Sequence, residues 1–271
     1  MFQAAAQGRG AHWQGPLNER TPLPADDGHA ASADRAFFGR RKGRPLRPHH
    51  AELIEHLLPR FALALDRPAP HNLAALFPRR LEAVRLEIGF GGGEHLVAQA
   101  AAHPGCGFIG CEPYVNGMAK ILALIEAGGY DNIRLYAGDA LALLAWLPPA
   151  SLEGIDLLYP DPWPKRRHWK RRFVQDRIVA MMARVLADGG AFRFATDVPD
   201  YAAWTLDHLA RSADFCWTAG RADDWRKPWD GFCPTRYEAK AKGQGRPPCY
   251  LVFRRIARDA PAGRARAVAS D

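Results

Sequence analysis

The feature that most constrains this sequence is an alternation of short apolar runs with longer stretches of helical spacing. Val84 to Ile88, Gly107 to Cys111, Ile133 to Tyr136, Ile155 to Tyr159 and Ala191 to Ala195 each read as a strand. Between them lie the alanine-rich segment Glu94 to Ala102, a periodic set Val115, Met118, Leu122 and Ile125, and the short piece Ala140 to Leu147. A second periodic set, Val174, Ile178, Met181, Met182 and Val185, and the segment Pro199 to Arg211 complete the helices. The pairs Gly128-Gly129 and Gly189-Gly190 are expected to close the helices that precede them. Strands that alternate with helices require right-handed crossovers and a parallel sheet covered on both faces. Phe215 to Trp217 and Tyr250 to Phe253 are two further strand-like segments with no clear helix between them. An antiparallel last strand after a long loop fits that spacing. The expectation is an α/β fold, a mostly parallel seven-stranded sheet with helices on both faces, over residues 46–258. Flexible tails are expected at 1–45 and 259–271.

Composition narrows the class. Hydrophobic residues make up 48% and charged residues 24%, enough apolar material for a core and too much for a disordered chain. The formal net charge of +8 favours a polyanionic partner, although a merely basic soluble protein fits as well. The first tail ends in Arg40-Arg41-Lys42-Gly43-Arg44-Pro45-Leu46-Arg47, a solvated linker or an arm that orders on a polyanion. The five cysteines are an odd number with no C-x-x-C pair, so reduced thiols and no metal site are expected. No apolar run approaches the roughly 18 residues of a membrane span, and no leader is visible. A cytoplasmic protein without a membrane partner, monomeric or homodimeric, is expected.

In an open α/β sheet, ligands sit beyond the carboxyl ends of the strands. The first strand runs into Glu87-Ile88-Gly89-Phe90-Gly91-Gly92-Gly93-Glu94. Glycines permit a tight turn and close ligand approach, but Glu94 stands where a dinucleotide-binding loop needs its last glycine and would repel a pyrophosphate. Glu112 follows Gly93 by 19 residues, near the offset at which an acid meets ribose hydroxyls. Asp139 follows the third strand, placed to cap a helix or to accept an adenine amine. Carboxylates at successive strand ends suit an adenosine ligand that carries positive charge, which describes S-adenosylmethionine.

The fourth strand ends in Tyr159-Pro160-Asp161-Pro162-Trp163-Pro164, then Lys165, Arg166, Arg167, His168, Trp169, Lys170, Arg171 and Arg172. An acid held between two prolines is pre-organised. The basic and aromatic run after it suits phosphates and unpaired bases. The fifth strand ends in Ala195-Thr196-Asp197, and the late loop carries Thr235-Arg236-Tyr237-Glu238.

Together these segments resemble the bacterial tRNA (guanine-N7-)-methyltransferase family, class I S-adenosylmethionine-dependent enzymes with a Rossmann-like fold. The resemblance runs from about Phe38 to Ile256 and is most specific at Asp161-Pro162-Trp163-Pro164-Lys165. It implies that Glu87, Gly89, Gly91, Glu112, Asp139 and Asp161 line the cofactor site, with Asp161 as the catalytic acid. It also implies that Lys165, Asp197, Thr235, Arg236, Tyr237 and Glu238 bind the target nucleotide, and that Arg166, Arg167, His168, Lys170, Arg171 and Arg172 touch tRNA. The implied substrate is a guanosine in the tRNA variable loop (position 46). Thr235-Arg236-Tyr237-Glu238 stands where the family often has Thr-Lys-Phe-Glu, and the first 35 residues match no pattern.

Guanine N7 has an in-plane lone pair and no proton to lose, so attack needs no general base. Alignment and electrostatics would carry catalysis. Trp163, Trp169 and Tyr237 are the candidates for stacking an extruded base. Three rivals stay in view. An adenine or cytosine amino-methyltransferase would place its aromatic third after the acid, whereas Trp163 is second. A catalytically inactive RNA-binding protein with the same fold would not need acids at every strand end. A dehydrogenase is disfavoured by Glu94.

Overall fold

The structure is a computed structural model and describes residues 35–259. Of the tail expected at 1–45, residues 1–34 lie outside the described residues, as do those beyond 259. Seven strands form one sheet: β1 (Ala83–Ile88), β2 (Cys106–Cys111), β3 (Ile133–Tyr136), β4 (Leu152–Leu158), β5 (Leu186–Thr196), β6 (Phe215–Trp217) and β7 (Cys249–Arg255). Their order is β3-β2-β1-β4-β5-β7-β6. The first five strands pair in parallel, and β7 runs antiparallel between β5 and β6. The order therefore reverses between β1 and β4, where the crossovers leave a crevice at the carboxyl ends.

Nine α-helical segments surround the sheet among the described residues: α1 (Pro48–Glu52), α2 (Leu58–Phe61), α3 (Glu94–Ala102), α4 (Val115–Gly128), α5 (Ala140–Trp146), α6 (Asp176–Val185), α7 (Pro199–Arg211), α8 (Asp223–Arg226) and α9 (Arg236–Gly243). A π-helical turn, Leu53–Leu57, joins α1 to α2. The apolar stripe of α4, Met118, Ile121, Leu122 and Ile125, is buried with Leu96 of α3 and Phe108 of β2 on one face. Leu141 and Leu144 of α5, Ile178 and Met182 of α6 and Tyr201 of α7 cover the other face with Val84, Leu86 and Ile88. Alternation along β1 turns Arg85 and Glu87 the opposite way.

Three details differ from the sequence reading. Gly189 and Gly190 do not close a helix. The helix ends at Val185, and the glycines fall within β5, where Leu186 pairs with Leu152 but Ala191 already pairs with Gly154. Extra residues on one strand of a ladder form a bulge, for which a glycine at φ +77° is suited. The second difference lies in the late loop, which contains α9 capped by the Thr235 hydroxyl accepting from the Glu238 amide at 3.1 Å. The spacing Thr-x-x-Glu is a capping-box signature that could have revealed this helix. Third, residues 35–47 follow a defined course: the Val115 amide donates to Arg41 O at 3.0 Å, and Asn116 exchanges hydrogen bonds with Gly43 N and Arg44 O, each at 2.8 Å.

Candidate active site

The switch between β1 and β4 opens into a cavity of about 490 Å³, lined by Gly89, Gly91, Glu112, Asp161, Trp163 and Tyr237, with arm residues 36–40 as a further wall. The glycine loop after β1 supplies its floor. Gly91 has φ +59°, a conformation that costs a side-chain-bearing residue steric strain. The loop is also pinned from below: a Cβ on Gly117, in the first turn of α4, would lie 2.3 Å from Gly91 O. Only glycine permits that approach.

Glu112 is fixed by main chain. Its Oε2 accepts from the Gly91 amide at 2.9 Å and its Oε1 from the Tyr114 amide at 3.0 Å. It is 7% exposed, and burial raises its pKa to about 7 against the pull of those two amides, with Asp161 and Glu87 adding to the rise. Glu112, Asp161 and Glu87 are thus close enough to sense one another. The Glu87 side chain, however, does not line the cavity. Strand alternation turns it to the opposite face, where His95 Nδ1 lies 2.8 Å from its Oε2. Asp139 has the capping role expected of it, accepting from Leu141 N at 2.9 Å. Its carboxylate also accepts from the arm amides of Ala36, at 3.0 and 2.8 Å, and Phe37, at 2.9 Å. The arm therefore lies between Asp139 and the cavity, a placement no local sequence signal announced.

Asp161 stands at the mouth of the cavity between its two prolines. The turn is strained: Tyr159 and Trp163 adopt φ +50° and +43° without being glycine. Such conformations persist where surrounding structure imposes them, commonly at functional sites. Desolvation raises the pKa of Asp161 above the ordinary carboxylate value. Beyond it, a 3-10 turn over Arg166–Arg171 presents Lys165, Arg166, Arg167 and Lys170 to solvent. The Arg171 guanidinium lies 4.9 Å above the Trp163 ring and 5.8 Å from that of Phe38, while His168 meets Trp163 edge-on. Desolvation and the cations around it, Arg171 foremost, lower the His168 pKa.

Four expected contact residues are placed differently. Arg172 is 1% exposed, donates Nε–H to Pro162 O at 2.9 Å, pairs with Asp200, and is caged by the rings of Trp169, Tyr201 and Trp204. It anchors the turn from within, so it is not the exposed RNA contact its neighbours suggested. Trp169 packs against Trp204 in the same cage, at 5.5 Å, rather than standing free to stack a base. Glu238 is 1% exposed, accepting from the Tyr250 hydroxyl at 2.7 Å and pairing with Lys242 at 2.5 Å. Thr235 is committed to its cap. Of the late segment, Tyr237 reaches the cavity and is 51% exposed, with the Arg236 guanidinium over its ring. Asp197, at the end of β5, pairs with Arg246 at 3.0 Å.

The fit to S-adenosylmethionine rests on this chemistry. Glu112 beside the glycine floor and Asp161 at the mouth suit a neutral ribose and a positively charged sulfonium, while the cavity's two cations, Arg40 and Arg171, stand on the arm and the basic turn rather than on the glycine loop. Among the described residues no group of His, Cys, Asp and Glu could hold a metal ion, and no helix is long and apolar enough to cross a membrane.

A sheet ordered 3-2-1-4-5-7-6 with its seventh strand reversed, a glycine loop after the first strand and an acid after the second define a class I S-adenosylmethionine-dependent methyltransferase. Residues 82–250 match a family model described as "Putative methyltransferase". The chain is 64% identical over 248 residues to a tRNA (guanine-N(7)-)-methyltransferase of Rhodopseudomonas palustris strain BisB18, spanning 91% of this chain and 98% of that one. It is also 64% identical over 239 residues to the enzyme of that name from Bradyrhizobium diazoefficiens, covering 88% of this chain and 100% of the relative. The chain belongs to the tRNA (guanine-N(7)-)-methyltransferase family.

Proposed function

We propose that this protein methylates N7 of a guanosine in the variable loop of tRNA, with S-adenosylmethionine as methyl donor. The observation that carries the reading is the pairing of two environments at one cavity. Glu112 and the glycine loop form an anionic, backbone-lined wall, while Asp161, Trp163 and Tyr237 stand at a mouth flanked by the basic turn.

S-adenosylmethionine supplies an electrophilic methyl group. The chain supplies alignment and charge. Glu112, when ionised, accepts ribose hydroxyls from a fixed position. Trp163 and Tyr237 stack the extruded base, which must leave its helix because N7 is shielded in the narrow major groove of A-form RNA. Asp161 faces the base as it becomes cationic and offsets the growing charge. No proton is removed, so no base is assigned. Lys165, Arg166, Arg167, Lys170 and Arg171 hold the RNA backbone.

Incubation with methyl-labelled donor and unmodified tRNA, followed by digestion to nucleosides, tests the reading. Label is expected in 7-methylguanosine from the variable loop. Label in N6-methyladenosine or a methylated cytidine would support the amino-methyltransferase alternative. Donor binding without methyl transfer would identify an inactive RNA-binding protein.

A further inference from the structure

The late segment that carries Tyr237 to the cavity is held from two sides. On one side the Tyr250 hydroxyl of β7 donates to Glu238 in the first turn of α9. On the other, Gln99 of α3 donates Nε2–H to Gly231 O at 2.7 Å, within a turn closed by the Phe232 amide on Trp229 O at 3.1 Å. Gln99 is 4% exposed, so the bond is shielded from water. His95 stands one turn earlier on the same face of α3, its ring 5.6 Å from that of Phe232. Glu87 holds the His95 ring through Nδ1, so the acid that turns away from the cavity has its partner under the late segment. α3 itself begins at Glu94, directly after the glycine loop.

Little else fixes the stretch between the two anchors. Tyr237 is half-exposed, and its ring meets the glycine loop at no more than van der Waals distance, 3.6 Å from where a Cβ on Gly91 would stand. The layer beneath the segment is polar and incompletely paired: His95 Nε2, Trp229 Nε1 and Glu238 Oε2 are buried with no hydrogen-bond partner among the described residues. Such a layer adds little net adhesion, so each hydrogen bond across it counts. We propose that Gln99, with His95 beside it, is a positioning residue for methyl transfer, seating the Trp229–Phe232 turn on α3 so that Tyr237 meets the base in register with the donor. The inference rests on Tyr237 stacking the base. The helix that leaves the donor loop then also places the segment that receives RNA, and one element sets the alignment of both reactants.

The test is a double-mutant cycle on the full chain, reading kcat and tRNA KM for methyl transfer together with donor affinity by titration. Tyr237→Ala should lower kcat/KM for tRNA roughly tenfold to a hundredfold. Gln99→Leu keeps the bulk of the side chain but removes its donor, and should lower it about tenfold with donor affinity unchanged. Gly231→Ala attacks the same contact from the other side. There φ is +74° and a Cβ would meet no atom within 4 Å, so the turn is disfavoured without a clash, and the same loss is expected. Either change, combined with Tyr237→Ala, should lose no more than Tyr237→Ala alone, because a contact that acts through Tyr237 then has nothing left to place. A merely structural role would lower the melting temperature and leave the losses additive. Additive losses, native turnover in both Gln99→Leu and Gly231→Ala, or a parallel fall in donor affinity overturn the positioning role alone. Native turnover in Tyr237→Ala overturns the stacking reading, and the positioning role with it.

Discussion

The two walls of the cavity are built on opposite principles. On the donor side, Glu112 is held by two main-chain amides, and its loop is locked against the α4 backbone at Gly117. On the acceptor side, Asp161 sits on a turn with two strained residues, Tyr159 and Trp163, and the basic residues that follow are exposed. The donor wall is set before any ligand arrives. The acceptor wall is braced from inside by Arg172 but leaves Lys165, Arg166, Arg167 and Lys170 exposed. Substitutions on one wall should therefore alter donor affinity, and on the other turnover or RNA affinity.

The largest effect should come from the acceptor wall. Asp161→Ala is expected to lower turnover by roughly 10²–10³-fold while donor affinity, measured by titration, changes much less. Near-normal turnover would remove Asp161 from the chemistry and erase the contrast between the walls. Next comes Glu112→Gln, expected to weaken donor binding about tenfold with little change in the rate at saturating donor. The same residue predicts a pH dependence. With its pKa at about 7, Glu112 is partly protonated at neutral pH, and hydroxyl donors need the ionised form. Donor affinity should thus rise as pH is raised through 7, and the slope should vanish in the glutamine variant. The sign for stability is the reverse. A folded pKa above the unfolded value means the native state holds the extra proton between them, so this group removes stability as pH climbs through that window.

Charge reversal of Arg166 and Arg167 should give a smaller effect, weakening tRNA several-fold and flattening its salt dependence, while donor titrations stay unchanged. An unaltered salt slope would take the exposed turn out of the interface. The smallest effect belongs to Thr235→Ala. Loss of the α9 cap should cost about 1 kcal/mol and lower the melting temperature by a few degrees, with at most a modest change in tRNA KM. A large loss of turnover instead would give the Thr235 hydroxyl a direct role at the acceptor.

How far the sequence could be read follows from the range of each interaction. The order of strands and helices, and the acids within β1 and after β2 to β5, are local patterns, and the fold keeps Glu112 and Asp161 at one cavity as their positions after β2 and β4 require. The facing of Glu87 was also legible: Val84, Leu86 and Ile88 alternate with Arg85 and Glu87, so an acid between core residues points to the other side of the sheet. The cap at Thr235 was written in Thr-x-x-Glu. Arg172 was not legible. Nothing in a run of six basic residues says which one meets Trp169, Tyr201 and Trp204. Those partners are tertiary, as are the arm contacts to Asp139 and Asn116, made across the chain by residues with no periodic pattern of their own.

One consequence of the fold concerns position 117. Because α4 presents bare backbone to the carbonyl of Gly91, helix and loop share a single set of coordinates, and neither drifts without the other. A library randomised at that codon and selected for donor binding should return one letter, although the residue itself touches no ligand.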